Sequence, residues 1–343
     1  MDWRWTDSLG VALSGHGVPG RTVEWARAAE RAGLGSLWVI EDYFQPGAYT
    51  LGAAAAAATE RITIGLGVVN PYTRHPALVA METAALAGIA PGRVVLGLGS
   101  SNRKWIEAQM AIPFKTPLRG LREGVEIVRR LLDGQRVTYT GEVFSVQDVG
   151  LDTPPPAPVA ILLGVKGPRA LALAAEIADG VHCSVLTSPG HVRRVRATTA
   201  SRKDFKVIAY IPIAVSHDAA EARGWMRPMV ARYLGALHGQ SILEDAGLAP
   251  ARTQPFRDAL AAGRVAADLV TDELMDAVAI AGTPAQCRAA LARWAEVGLD
   301  AVVAVVPEGA DLARQLEHLG RELTPAWREL RRTILGPPHI DGR

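Results

Sequence analysis

Short, almost wholly apolar runs recur along the chain at intervals of roughly 25 to 35 residues, and a helical pattern fills most of the intervals. The runs are SLGVALS (Ser8 to Ser14), SLWVIED (Ser36 to Asp42), ITIGLGVVN (Ile62 to Asn70), RVVLGLGS (Arg93 to Ser100), VAILLG (Val159 to Gly164), DGVHCSV (Asp179 to Val185), FKVIAYIPIAV (Phe205 to Val215) and DAVVAVV (Asp300 to Val306). Apolar residues do not simply alternate with polar ones, as they would in a strand with one wet face. Such runs suit parallel strands covered by helices on both sides. Eight units of this kind predict a parallel (β/α)8 barrel, one domain over residues 1–343.

The intervening helices are expected near Arg21 to Ala32, Leu51 to Ala58, Pro76 to Ala90, Leu118 to Gly134, Pro168 to Ala178 and Pro189 to Arg202. A hairpin, VTYTGEVFSV, and a Pro-rich loop, DTPPPAP, interrupt the rhythm before the fifth run, and residues 217–280 read as a helical insertion between strands 7 and 8. The rival architecture is an open doubly wound sheet. Its Gly-x-Gly-x-x-Gly turn is missing after strand 1, and the nearest match, Gly97-Leu98-Gly99-Ser100-Ser101-Asn102, lacks the third glycine.

Charge excludes a dedicated nucleic-acid binder, since 37 basic residues face 35 acidic ones without a basic block. Cys183 and Cys287 are too few and too far apart for a disulfide framework or a thiolate metal centre, and no other metal-ligand cluster can be assembled. The start MDWRWTDSLG has no leader pattern, and no apolar stretch reaches membrane-spanning length. The expectation is a cytoplasmic protein without metal, acting on a small molecule.

Barrel active sites collect at the C-terminal ends of the strands. That filter selects Ser14; Glu41, Asp42, Tyr43 and Phe44; Asn70 to His75; Ser100 to Arg103; Gly164 to Pro168; and His182 with Ser184. Strands 3 and 4 echo one another as Gly-Leu-Gly-Val-Val-Asn and Gly-Leu-Gly-Ser-Ser-Asn, which suggests a flat surface for a planar group; glycines that merely fit a tapered barrel interior would look the same. The loop Gly164-Val165-Lys166-Gly167-Pro168 opens a helix whose free N–H groups favour phosphate, or is an ordinary turn with a solvated lysine. Asp42 is a buried carboxylate or the cap of the next helix, and His75 reads as a helix-start residue. No nucleophile elbow or catalytic triad can be built, so the chain reads as one that borrows its chemistry from a cofactor.

The segment GVVNPYTRHPALVAMETAALAGIAPGRVVLGLGSS resembles the luciferase-like family of flavin and deazaflavin oxidoreductases, most closely its branch similar to methylenetetrahydromethanopterin reductase. IEDYF, LLGVKGPRALALAAEIADGV and AGTPAQCRAALARWAEVGLDAVV carry the likeness across nearly the whole chain. The resemblance implies coenzyme F420, with FMN as the alternative, and a homodimer. It also implies a non-prolyl cis peptide at Gly67-Val68 backing the ring, with Asn70 near the ring's polar edge and Asp42 at the acidic position after strand 2. Gly99, Ser100 and Ser101, with the loop Gly164, Val165, Lys166, Gly167 and Pro168, would hold the ribityl phosphate. Lys166, Arg169 and Arg103 would meet the anionic tail.

Departures from the family pattern bear on the reaction. Where the sugar and alcohol dehydrogenases have His after the strand 2 Asp, this chain has Tyr43; their acidic residue after strand 4 is Asn102, and the reductase's acidic residue on strand 1 is Ser14. A base for alcohol oxidation is therefore out of its usual place. Reduction of an imine, iminium or activated alkene is expected instead, with Tyr43 and Glu41 as proton donors and Asn102 as a third catalytic candidate. An FMN-dependent monooxygenase and a flavin-binding barrel without turnover are the competing readings. The substrate pocket is placed around Trp105, Trp225, Met226 and Tyr233.

Overall fold

The computed structural model describes residues 3–13 and 19–335; Ser14 and His16 lie outside them. Eleven strands are present among these: β1 (Gly10–Leu13), β2 (Ser36–Val39), β3 (Thr63–Val69), β4 (Val94–Leu98), β5 (Val137–Thr140), β6 (Ser145–Val149), β7 (Ala160–Leu163), β8 (Gly180–Cys183), β9 (Lys206–Val215), β10 (Ile280–Gly282) and β11 (Ala301–Val305). Eight of them form a closed ring in the order β1-β2-β3-β4-β7-β8-β9-β11, with β11 pairing back onto β1 and every neighbour parallel. This is the expected (β/α)8 barrel.

The helices are α1 (Thr22–Arg31), α2 (Ala48–Ala58), α3 (Pro76–Ile89), α4 (Pro117–Leu132), α5 (Pro168–Ile177), α6 (Pro189–Thr198), α7 (Ala219–Ala236), α8 (Ser241–Glu244), α9 (Pro250–Ala261), α10 (Asp272–Val278), α11 (Pro284–Ala295), α12 (Leu312–His318) and α13 (Thr324–Leu335). Proline occupies the first turn of α3, α4, α5, α6, α9 and α11, where its missing N–H costs nothing. Helices α7 to α10 fill the stretch between β9 and β11 read as an insertion, and β10, which sequence did not reveal, extends β9 at Ile280 to Gly282.

Strand residues divide between two cores. Val11, Leu37, Ile64, Leu96, Ile161 and Val302 belong to the layer packed with the surrounding helices, whereas Trp38, Val95, Leu162, Ile208, Tyr210 and Val303 share the interior cluster that continues into α7 and α10. Trp38 of β2 is fully buried in this interior cluster. A Cβ on Gly65 would lie 2.2 Å from its ring, so only glycine lets β3 pass.

The expected hairpin is β5-β6, and it hangs on one carboxylate. Glu123 of α4 is fully buried and accepts the N–H groups of Glu142, Val143 and Phe144 at 2.8 to 2.9 Å, with Arg119 at 2.9 Å. Burial opposes its charge, but these donors outweigh burial and hold its pKa below the usual value.

Candidate functional site at the C-terminal mouth of the barrel

The floor of the mouth is Val68. The pairing of β3 with β4 slips between Leu66 and Val69, and the Gly67-Val68 peptide is cis, where the resemblance implies it. The Val68 side chain leans across β4 toward β7: a Cβ on Gly97 would lie 3.0 Å from its Cγ1, one on Gly99 2.6 Å from Cγ2, and one on Gly164 2.7 Å from Cγ1. On β3 itself, Gly65 yields to Trp38 and Gly67 to Tyr210, whose hydroxyl would stand 2.3 Å from an added Cβ. The echoed glycines are therefore not a bare flat surface. They receive packed side chains, and the half-buried Val68 caps them on the mouth side.

Three of the proposed site residues turn out to be tied into the scaffold. Asn70, buried, donates from Nδ2 to the Ser100 carbonyl at 2.9 Å and accepts from the Tyr72 N–H at 2.6 Å, clamping the ends of β3 and β4. Asn102 accepts the Trp105 N–H at 3.1 Å through Oδ1, at the start of a π-helical turn, Lys104–Gln109. Glu41 pairs with Arg74 at 2.9 Å and receives the first N–H of α2, from Ala48, at 3.2 Å. These contacts tie the Glu41 carboxylate to Arg74 and to the start of α2, where it accepts from both. Glu41 thus serves the first N–H of α2.

Tyr43 survives this test. It is half-buried, and its pKa is raised, chiefly by burial and in part by the nearby Glu41 charge, against the opposing influence of Thr73, Ser101 and Asn70 beside its hydroxyl. The phenol is protonated at neutral pH. Ser101 holds φ at 63°, and its Oγ is buried without a well-formed hydrogen bond, close enough to influence Tyr43. Asp42 lies near the Tyr210 and Tyr233 hydroxyls, where its charge adds to burial in raising both phenols. Tyr210 donates to the Gly67 carbonyl at 3.1 Å. His182 sits between Trp38 and Tyr210, with ring centroids 4.4 and 4.0 Å away, and burial pushes its pKa down to about 3. It is a neutral interior group. Met226 is wholly core, while Trp105, Trp225 and Tyr233 remain partly exposed.

Between β7 and α5 the chain turns at Gly164, whose N–H donates to the Leu98 carbonyl at 2.8 Å, and passes buried Val165 to Gly167, the extended cap residue of α5. A Cβ on Gly167 would meet nothing within 4 Å, and no side chain caps the helix. Its opening N–H groups are left for an anion. Lys166 is mostly buried, donates to Gln240 at 3.1 Å, and has its pKa lowered by burial. Arg103, one of the expected tail cations, is instead engaged by Glu107 and the Phe114 carbonyl. The uncapped α5, the unsatisfied Ser101 hydroxyl and the half-buried Val68 floor fit a planar ligand bearing a phosphate.

Sequence reading missed the π-turn and what it delivers. Trp105 stands 5.3 Å from Tyr43, ring to ring, and Phe44 stands 6.5 Å from it. The aromatic letters were visible, but their convergence from two loops was not. Among the described residues no cluster of metal-ligating side chains occurs, and no helix is long and apolar enough to cross a membrane.

A closed parallel barrel with such a mouth is the frame of many enzymes that hold a phosphate-bearing cofactor at the strand ends. The sequence comparison says which kind: the chain belongs to the luciferase-like monooxygenase family, whose model matches residues 6–301. It is 32% identical to the 5,10-methylenetetrahydromethanopterin reductase of Archaeoglobus fulgidus over 88% of this chain and 94% of that protein. With the F420-dependent glucose-6-phosphate dehydrogenase of Beutenbergia cavernae it shares 30% identity, over 89% and 93%. The coenzyme F420-dependent tetrahydromethanopterin reductase from Methanopyrus kandleri superposes with a TM-score of 0.85 at 24% identity, covering 93% of this chain and 99% of that one. That likeness speaks for the fold.

Proposed function

We propose that this protein is an F420-dependent oxidoreductase that reduces a small organic substrate by hydride transfer, an imine, iminium or activated alkene rather than an alcohol in reverse. The observation that carries the reading is the similarity, over nearly nine-tenths of the chain, to a methylenetetrahydromethanopterin reductase and an F420-dependent glucose-6-phosphate dehydrogenase, together with Tyr43, a protonated phenol, at the barrel mouth. When bound, a reduced deazaflavin would supply the hydride.

The chain's own groups then have limited work. Val68 would back the ring, and Asp42 and Asn70 would stand by its polar edge, with Ser100 and Ser101 toward the phosphate. Gly99 and the Gly164 to Pro168 loop would hold the phosphate against the α5 N-terminus. Asn70 acts at one remove, by fixing Ser100. The Tyr43 hydroxyl, protonated at neutral pH, would supply the one proton that an imine or activated alkene needs as hydride arrives; an iminium needs none. Orienting hydride and acceptor supplies most of the remaining acceleration.

The reading extends to a homodimer formed through α3, which exposes Leu78, Met81 and Ile89 at 48%, 50% and 48%. It also places the protein in the cytoplasm, in keeping with two buried free thiols, Cys183 and Cys287. The test is anaerobic addition of reduced F420 with a panel of imines and enones, following deazaflavin absorbance. Turnover is expected with F420 and not with FMN.

A further inference from the structure

We propose that Phe44, Tyr43 and Trp105 form a stacking ledge that selects substrates carrying an aromatic ring beside the reducible bond, with Phe44 as the specificity-determining residue. The proposal rests on the hydride-transfer assignment above and adds the substrate class.

Phe44 is 75% exposed, the most exposed large apolar side chain among the described residues. It also holds φ at 67°, a left-handed conformation that bulky side chains rarely adopt. The fold gains little from burying such a ring and tolerates an unfavourable backbone to display it, a pairing that points to a role outside folding. The ring is not isolated. Phe44 meets Tyr43 at 60° and Tyr43 meets Trp105 at 66°, edge-to-face contacts, with Tyr43 and Trp105 themselves partly exposed.

The array is continuous with the site. Its inner end is the Tyr43 hydroxyl, beside Asn70 and Ser101 at the ends of β3 and β4. Its outer end is carried on a π-turn started by Asn102, an irregularity that recurs at functional positions. The ledge offers little free charge. Arg74 is committed to Glu41 and Glu82, and Arg103 to Glu107. Lys104, exposed on the same turn, is the nearby cation not so committed; a ligand with a flat apolar ring outside and a polar unsaturated group inside would match both ends.

The test is calorimetric titration of the F420-loaded protein with a matched pair of unreactive amides, one bearing phenyl and the other cyclohexyl. The phenyl amide is expected to bind at least tenfold more tightly; Phe44→Ala should remove most of that preference, and Phe44→Trp should keep it. Equal affinity for the two amides, or a preference unchanged in Phe44→Ala, would overturn the ledge. So would a Phe44→Asp variant that changes the sedimentation coefficient from dimer to monomer, because the ring would then belong to a contact between copies. Hydride transfer is read separately: turnover of imines or enones without aryl preference removes the ledge and keeps the reductase, while selective phenyl binding without any turnover does the reverse.

Discussion

The Val68 side chain fills the space that a Cβ on Gly164 would need, two strands away: the added carbon would come within 2.7 Å of Val68 Cγ1. Gly99 stands in the same relation to Val68 Cγ2 at 2.6 Å. Gly164→Ala or Gly99→Ala must therefore push Val68 into the mouth, since both contacts are shorter than real Cβ contacts allow. We expect deazaflavin affinity to fall about tenfold or more, equivalent to about 1.4 kcal/mol. Val68→Ala in the same background should restore part of it. Fluorescence titration reads the outcome; unchanged affinity in both glycine variants would remove Val68 from the cofactor site.

Tyr43→Phe deletes the proton donor and keeps the ring. The expected result is a loss of kcat of about 10²- to 10⁴-fold with little change in Tm. Because the phenol pKa lies above its ordinary value of 10.0, the acid form persists through neutral pH, and its loss should appear only as an alkaline limb above that value. Stopped-flow rates from pH 6 upward check the limb, and an alkaline limb retained in Tyr43→Phe would assign it to another group.

Glu41 should behave as scaffold. Glu41→Gln leaves Arg74 with only Glu82 at 3.3 Å and weakens the hold on the α2 N-terminus, so stability should fall by about 1 to 3 kcal/mol. The pH profile of turnover should keep its shape. A profile that loses a limb in Glu41→Gln would return Glu41 to catalysis.

His182 makes the barrel acid-sensitive. Its folded pKa is about 3 against an ordinary 6.5, so between those values the unfolded chain binds a proton that the folded chain refuses, and stability falls as pH falls through the window. The slope is about 1.4 kcal/mol per pH unit, a loss of a few kcal/mol complete near pH 3. Denaturant unfolding at pH 7 and pH 4 should show a smaller difference in His182→Leu than in the parent. An equal difference would mean that the imidazole gains a proton without cost.

On α3, Met81→Asp places a charge in the exposed strip of Leu78, Met81 and Ile89. Sedimentation should then convert dimer to monomer; a parent protein that is already monomeric would contradict the assignment.

The eight strands were legible because burial on both faces leaves an apolar run that no other element requires, and the observed bounds fall within a few residues of those runs. The Gly65 to Val69 stretch was legible as a place where side chains are given up, but not what takes their room. Trp38 comes from β2 and Tyr210 from β9, a neighbourhood that only barrel closure creates. Glu41 and Asp42 are adjacent carboxylates whose roles differ by direction, one toward Arg74 and α2, the other toward Tyr210 and Tyr233. Sequence alone gives no direction. The π-turn at Lys104–Gln109 has no periodic signature in six residues, so the meeting of Trp105 with Tyr43 had to be seen.

Titration of the purified apo protein with F420 and, separately, with FMN tests the central claim most directly. The expected result is saturable F420 binding and, when an imine or enone is added anaerobically to the complex with reduced F420, a rise in oxidised-F420 absorbance; binding with no such rise for any acceptor would contradict the hydride transfer. Tight FMN binding with no measurable F420 binding would contradict it.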